Sequence, residues 1–134
     1  MSYTSRERFN YEWYKPSDTE LIVSSTQEST LNNVYTKLME FKLQNDINPN
    51  SLFRYKFQMS CGNTGNGRIY INDVAVGTEQ TRSGAMQEFV EDIIYTGWKR
   101  GDKIQVYAKT NGVAVQIQGF KLCGDVSKWE QTIP

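Results

Sequence analysis

Three observations predict an all-β chain, folded as an antiparallel two-sheet β-sandwich of seven or eight strands. Apolar residues recur at every second position in short runs, which is the period of a half-buried strand. Clusters of Gly, Asn and Asp separate those runs, and these are the residues that reverse a chain. Aromatics make up 13 % of the sequence, with eight Tyr, six Phe and three Trp, and such side chains favour pleated surfaces. The 134 residues suit one domain that buries roughly two-thirds of its unfolded surface.

Residues 1–18 read as an N-terminal arm or as the first strand. Phe9, Tyr11 and Trp13 alternate with polar neighbours, and Pro16-Ser17-Asp18 interrupts the run. The sandwich body is expected over 19–125. Leu21-Ile22-Val23 is a short strand, and the polar stretch 24–33 is a loop. Tyr35, Met39, Phe41 and Leu43 fall on one face of the next strand, with Lys37 and Leu38 breaking the pattern. A helix over 30–44 competes, because Leu31, Val34, Leu38 and Phe41 fit a period near 3.6.

The clearest alternation comes next. Phe53, Tyr55, Phe57, Met59 and Cys61 point one way, and Arg54, Lys56, Gln58 and Ser60 the other. Gly62-Asn-Thr-Gly-Asn-Gly67 is expected to be a flexible loop. Ile69 and Ile71 then point inward, Asn72-Asp73 makes a tight hairpin turn, and Val74 and Val76 follow. The segment 78–84 reads as exposed. In the strand over 86–95 the inward set is either Phe89, Ile93 and Tyr95 or Val90 and Ile94. After the turn at 97–102, Ile104, Val106 and Ala108 point inward. Thr110-Asn111-Gly112 is the strongest hairpin signal. Val113, Val115 and Ile117 continue, and the inward phase then shifts to Phe120 and Leu122, with a β-bulge expected at Gly119. The tail, 126–134, offers Trp129 as an anchor on the body or on a partner.

Several kinds of chemistry are disfavoured. Lys plus Arg and Asp plus Glu both total 15, so no basic excess points to nucleic acid. No apolar run is long enough for a membrane span, and no signal-peptide pattern opens the chain. There is no His, which removes Ser-His-Asp and Cys-His triads and imidazole zinc sites. Glu88, Glu91 and Asp92 cluster in sequence but read as a solvated strand. Asp73, Asp102 and Asp125 read as turn residues without a calcium-loop pattern, so neither metal nor cofactor is expected. Arg100-Gly101-Asp102 reads as an ordinary turn, in which Gly bends the chain and Asp accepts backbone bonds. Cys61 and Cys123, each at a strand end, form either a disulfide or two buried thiols. Tyr70, Tyr95, Trp98 and Tyr107 are the candidate binding residues, placed on outer faces or loops where aromatics contact proteins or stack on sugar rings.

The segment Gly67-Arg-Ile-Tyr-Ile-Asn-Asp-Val-Ala-Val-Gly-Thr-Glu, with Gly97-Trp-Lys-Arg-Gly-Asp-Lys-Ile-Gln-Val-Tyr-Ala-Lys, resembles jelly-roll modules. Such modules occur in virion proteins, in phage tail and receptor-binding proteins, and in carbohydrate-binding domains. The resemblance implies a non-enzymatic structural protein found in a virion or outside the cell. Its partners would be further copies of itself or other virion proteins. Phe9, Tyr11, Trp13 and Trp129 would serve assembly. The alternative it implies is a glycan-binding module.

Overall fold

The computed structural model describes residues 12–127. They form an antiparallel sheet of eight strands, and no helix is long and apolar enough to cross a membrane. The strands are β1 (Trp13–Val23), β2 (Gln27–Thr30), β3 (Thr36–Lys42), β4 (Phe53–Ile71), β5 (Val74–Ala75), β6 (Gln80–Ile93), β7 (Lys103–Thr110) and β8 (Val115–Ser127).

The organising element is β4. Its odd-numbered residues are buried from Phe53 to Cys61 and again from Gly65 to Ile71, while Arg54, Lys56 and Gln58 stay partly exposed. One edge of β4 carries β6 and β5. The other carries β8 along 54–61 and β7 along 65–71. Cys61 faces Val115 and Gly65 faces Thr110, so β7 and β8 are successive stretches of one path running back along β4. Together they make a long antiparallel ribbon that bends at 62–64. On the far side of this path, β3 pairs with β7, and β1 and β2 pair with β8.

The bend explains two departures from the sequence reading. The segment 62–67 is strand, not a flexible loop. Gly65 and Gly67 answer to packing: a Cβ on Gly65 would lie 2.7 Å from Val115 Cγ2, and one on Gly67 would lie 2.9 Å from Phe57 Cε2. A ring at position 57 can reach position 67 only because the two halves of β4 fold toward each other. Nor does Thr110-Asn111-Gly112 close a hairpin, since β7 and β8 do not pair. The turn bonds instead to the bend of β4. The Asn111 N–H donates to Thr64 O at 3.0 Å, and Asn63 Nδ2 donates to Asn111 O at 2.6 Å. The chain then continues along β4 rather than reversing.

Other expectations meet the structure unevenly. The stretch 24–33, read as loop, contains β2, an edge strand whose polar side chains leave no alternation to read. Residues 36–42 are strand rather than helix, with a bulge at Leu38, because Lys37 faces Tyr107 and Met39 faces Val106. Pro16, Ser17 and Asp18 lie within β1, in an irregular stretch between the Lys15–Asp125 and Glu20–Cys123 pairs. Asp125 is thus a strand residue, not a turn residue. Over 86–95, Phe89, Ile93 and Tyr95 pack against the core, while Val90 and Ile94 are exposed, and β6 itself ends at Ile93. The bulge at Gly119 is present: Lys56 faces Lys121 and Gln58 faces Gln118, and Gly119 has φ 63°. Asn72 (φ 52°) and Asp73 (φ 67°) form the tight turn into β5, in the backbone conformation that two-residue hairpins require.

The interior is apolar. Phe41 on β3 stacks on Phe120 on β8, with centroids 4.5 Å apart, although the two strands share no backbone ladder. Phe53 sits between Tyr14 and the edge of Trp98. A buried Phe of this kind contributes on the order of 1.5–3 kcal/mol. Cys61 and Cys123 are free and buried, so the disulfide is not formed. Cys123 faces Arg54 while Cys61 lies seven residues further along β4. The strand rise separates the two by about 23 Å, far beyond disulfide reach.

Candidate functional site: an outer tyrosine cluster

The same alternation that buries Ile69, Ile71, Val106 and Ala108 sends Arg68, Tyr70, Gln105, Tyr107 and Lys109 to the opposite face. Tyr70 and Tyr107 are diagonal neighbours on β4 and β7, and their rings stack 3.7 Å apart at 11°. Tyr35 approaches Tyr70 at 6.0 Å and 55°. Sequence alternation alone puts Tyr35 on the inner face with Met39 and Phe41. The bulge at Leu38 adds a residue between them, which reverses the phase and turns Tyr35 outward. The Lys37-Leu38 break in the sequence is the signal of this change.

Hydrogen bonds hold two of the rings, Tyr107 and Tyr35, in place. The Tyr107 hydroxyl donates to Asp73 Oδ1 at 2.8 Å, and the Tyr35 hydroxyl donates to Glu79 Oε2 at 2.5 Å. Lys109 Nζ lies 4.8 Å from the centroid of the Tyr35 ring and 3.6 Å from Glu79. Asp73 occupies its position because the tight turn aims it back over β7. Gln105 fixes it there by accepting from the Asp73 N–H (2.8 Å) and donating to Asp73 Oδ1 (2.9 Å) and Glu40 Oε1 (2.9 Å). Gln105 is fully buried under these contacts, although it lies on the outer side of its strand.

The electrostatics follow from the contacts. The hydrogen bond from Gln105, then that from Tyr107, holds the Asp73 carboxyl below its ordinary range. Gln105 and then Lys37 do the same for Glu40, and Tyr35 does so for Glu79. Burial, reinforced by Asp73, pushes the Tyr107 phenol up to about 12. Burial and Glu79 raise Tyr35 likewise. The result is a fixed aromatic surface rimmed by ionised carboxylates, suited to stacking and hydrogen-bond acceptance.

Tyr95 and Trp98 lie apart from this cluster. Trp98 is not on an outer face: it is 3 % exposed, and its Nε1–H donates to Ser51 O at 2.9 Å. Tyr95 rests edge-on against it at 4.5 Å. The two glycines of the turn, Gly97 (φ 88°) and Gly101 (φ 96°), let the chain tuck the indole inward. Trp13 is 40 % exposed on β1. Phe9, Tyr11 and Trp129, the other residues expected to serve assembly, lie outside the described residues.

Asp92, Glu91 and Asp102, three of the carboxylates singled out in the sequence, have structural employment. Asp92 Oδ1 and Oδ2 accept from Arg54 at 2.8 and 3.1 Å. Glu91 accepts from the Thr78 N–H and hydroxyl. Asp102 is buried and accepts from the Lys99 N–H and Asn72 Nδ2. Among the described residues, no group of three or more Cys, Asp and Glu side chains could hold a metal ion. Neither a protein-family model nor a curated protein matches the chain.

Proposed function

We propose that this chain is a non-enzymatic structural protein, a jelly-roll β-sandwich of a virion or virus-associated particle that binds further copies of itself or other virion proteins. In this reading the bent ribbon rolls so that β6, the first half of β4, β8 and β1 lie over the second half of β4 with β7 and β3. The Phe41–Phe120 stack between strands that share no ladder supports that two-layer reading. The observation that carries the function is the tyrosine cluster. Three rings, two fixed by hydrogen bonds and Tyr70 stacked between them, offer a large contact area that loses little side-chain freedom on binding. Multi-angle light scattering of the full chain, beside Tyr70→Ser/Tyr107→Ser and a chain lacking residues 1–11, tests the proposal. Assemblies larger than a monomer that shrink in either variant are expected. A wild-type monomer at every concentration, with no particle association, overturns it.

The carboxylate rim favours a second reading, a glycan-binding surface in which the rings stack on sugar and Asp73 and Glu79 accept sugar hydroxyls. A glycan array probed with wild type, Tyr70→Ala and Tyr107→Ala tests it. Retention by wild type alone supports that reading, and no retention removes it.

A further inference from the structure

Among the described residues the sheet leaves two open edges of opposite character. Among the described residues β6 pairs only with β4, and β3 pairs only with β7. Native proteins blunt such edges with short strands, Lys, Pro or bulges, because an unpaired backbone row is a template for another strand. β1 carries Lys15, Pro16 and an irregular register, and β2 has only four residues. β6 runs 14 residues with neither Lys nor Pro, and its partner residues from Gln87 to Ile93 follow β4 without a shift. On its outer face this stretch presents Glu88, Val90 and Asp92, with Val90 exposed. β3 presents Lys37, Glu40 and Lys42 on its outer face.

From this we infer that β6 of one copy adds antiparallel to β3 of a second copy, continuing the sheet from molecule to molecule. This inference rests on the self-association proposed above and adds to it a second contact, separate from the tyrosine cluster. In that register Glu88 faces Lys42, Val90 faces Glu40 and Asp92 faces Lys37, the bulge at Leu38 absorbing the odd residue. Lys37 is already tied to Glu40 at 3.0 Å and Asp92 to Arg54, so the Glu88–Lys42 pair carries most of the discrimination. Both side chains are exposed, and neither is in an ion pair among the described residues. The same charges oppose other pairings. Two β6 edges centred on Val90 would set Glu88 against Asp92, and cross-strand like charges destabilise a ladder. Unlike edges meeting head to tail do not stop at a dimer but close into a ring or grow as a filament.

Sedimentation of the full chain at low and high salt tests the inference, using Glu88→Lys and Lys42→Glu alone and mixed in equal amounts. Each variant alone places like charges across the contact and is expected to sediment as a smaller species than wild type. The mixture restores opposite charges at every contact and is expected to regain the wild-type size, with salt weakening both. Single variants that assemble like wild type, or a mixture that stays as small as its components, overturn the edge contact while leaving self-association standing. A wild-type monomer overturns both.

Discussion

Replacing Gly65 by Ala separates packing from flexibility as the reason for the glycines at the bend, because the two predict opposite signs. Gly65 lies outside the left-handed region of backbone space, so Ala adds no backbone strain. In a flexible loop the substitution would stabilise by about 0.4–1 kcal/mol, through the loss of unfolded-state freedom. Here the new methyl would stand 2.7 Å from Val115 Cγ2, 3.1 Å from Val115 Cβ and 3.0 Å from Cys61 Cβ. Ordinary carbon contacts lie at about 3.5–4.0 Å. Val115 is fully buried and β-branched, so it cannot swing aside. Overpacking of this kind costs about 1–3 kcal/mol, which outweighs the entropic gain. We expect urea denaturation to show Gly65→Ala destabilised by roughly 1–2 kcal/mol. Val115→Ala alone should lose about 2 kcal/mol, from two buried methyls and the space they leave. The double variant should fall short of the sum by about 1 kcal/mol, since the missing valine methyls make room for the new one. A neutral or stabilising Gly65→Ala, or an additive cycle, would refute the packing account.

Three further outcomes follow from single groups. The Tyr55 hydroxyl is buried with no hydrogen-bond partner among the described residues, so Tyr55→Phe should leave stability unchanged or raise it by about 1 kcal/mol; a lower melting temperature would show that the hydroxyl is satisfied. Tyr107 and Tyr14 are both raised to about 12 by burial with a neighbouring carboxylate. A raised folded-state value means their stabilisation is complete below the unfolded value of about 10 and is lost as pH rises through the folded one. Ultraviolet titration should therefore find part of the eight tyrosines ionising only as the fold is lost, and ionisation of all eight near pH 10 with unchanged circular dichroism would contradict the contacts described. Both thiols should resist a bulky thiol reagent in the native state and react after denaturation without reductant; fewer than two reactive thiols in the denatured chain would mean a bridge had formed.

The parts of the fold that depend on local alternation are legible in the sequence. Phe53 to Cys61 read correctly because one face is wet and the other dry. Gly119 is legible because a shift of inward phase beside a glycine is what an inserted strand residue produces. The failures share a different cause. Gly62 to Gly67 carries the composition of a loop, yet two of its glycines make room for side chains distant in the chain, which no local pattern encodes. Thr110-Asn111-Gly112 has hairpin chemistry, but its polar groups bond to β4 and the chain keeps its direction. Of the site, strand parity finds Tyr70 and Tyr107, whereas it puts Tyr35 on the wrong face because one bulged residue inverts parity upstream. Trp98 escapes a local reading because its burial depends on Ser51, 47 residues earlier in the chain, and on Phe53 at the start of β4.

The first ladder position among the described residues sets Trp13 beside Ser127, so both ends of the described chain leave at a single corner. A load applied there would meet β1 and β8 as a zipper, opening backbone bonds one after another rather than together. Tethering through the two ends should thus detach β1 at low force, while the bent ribbon, bonded along both edges of β4, holds until later.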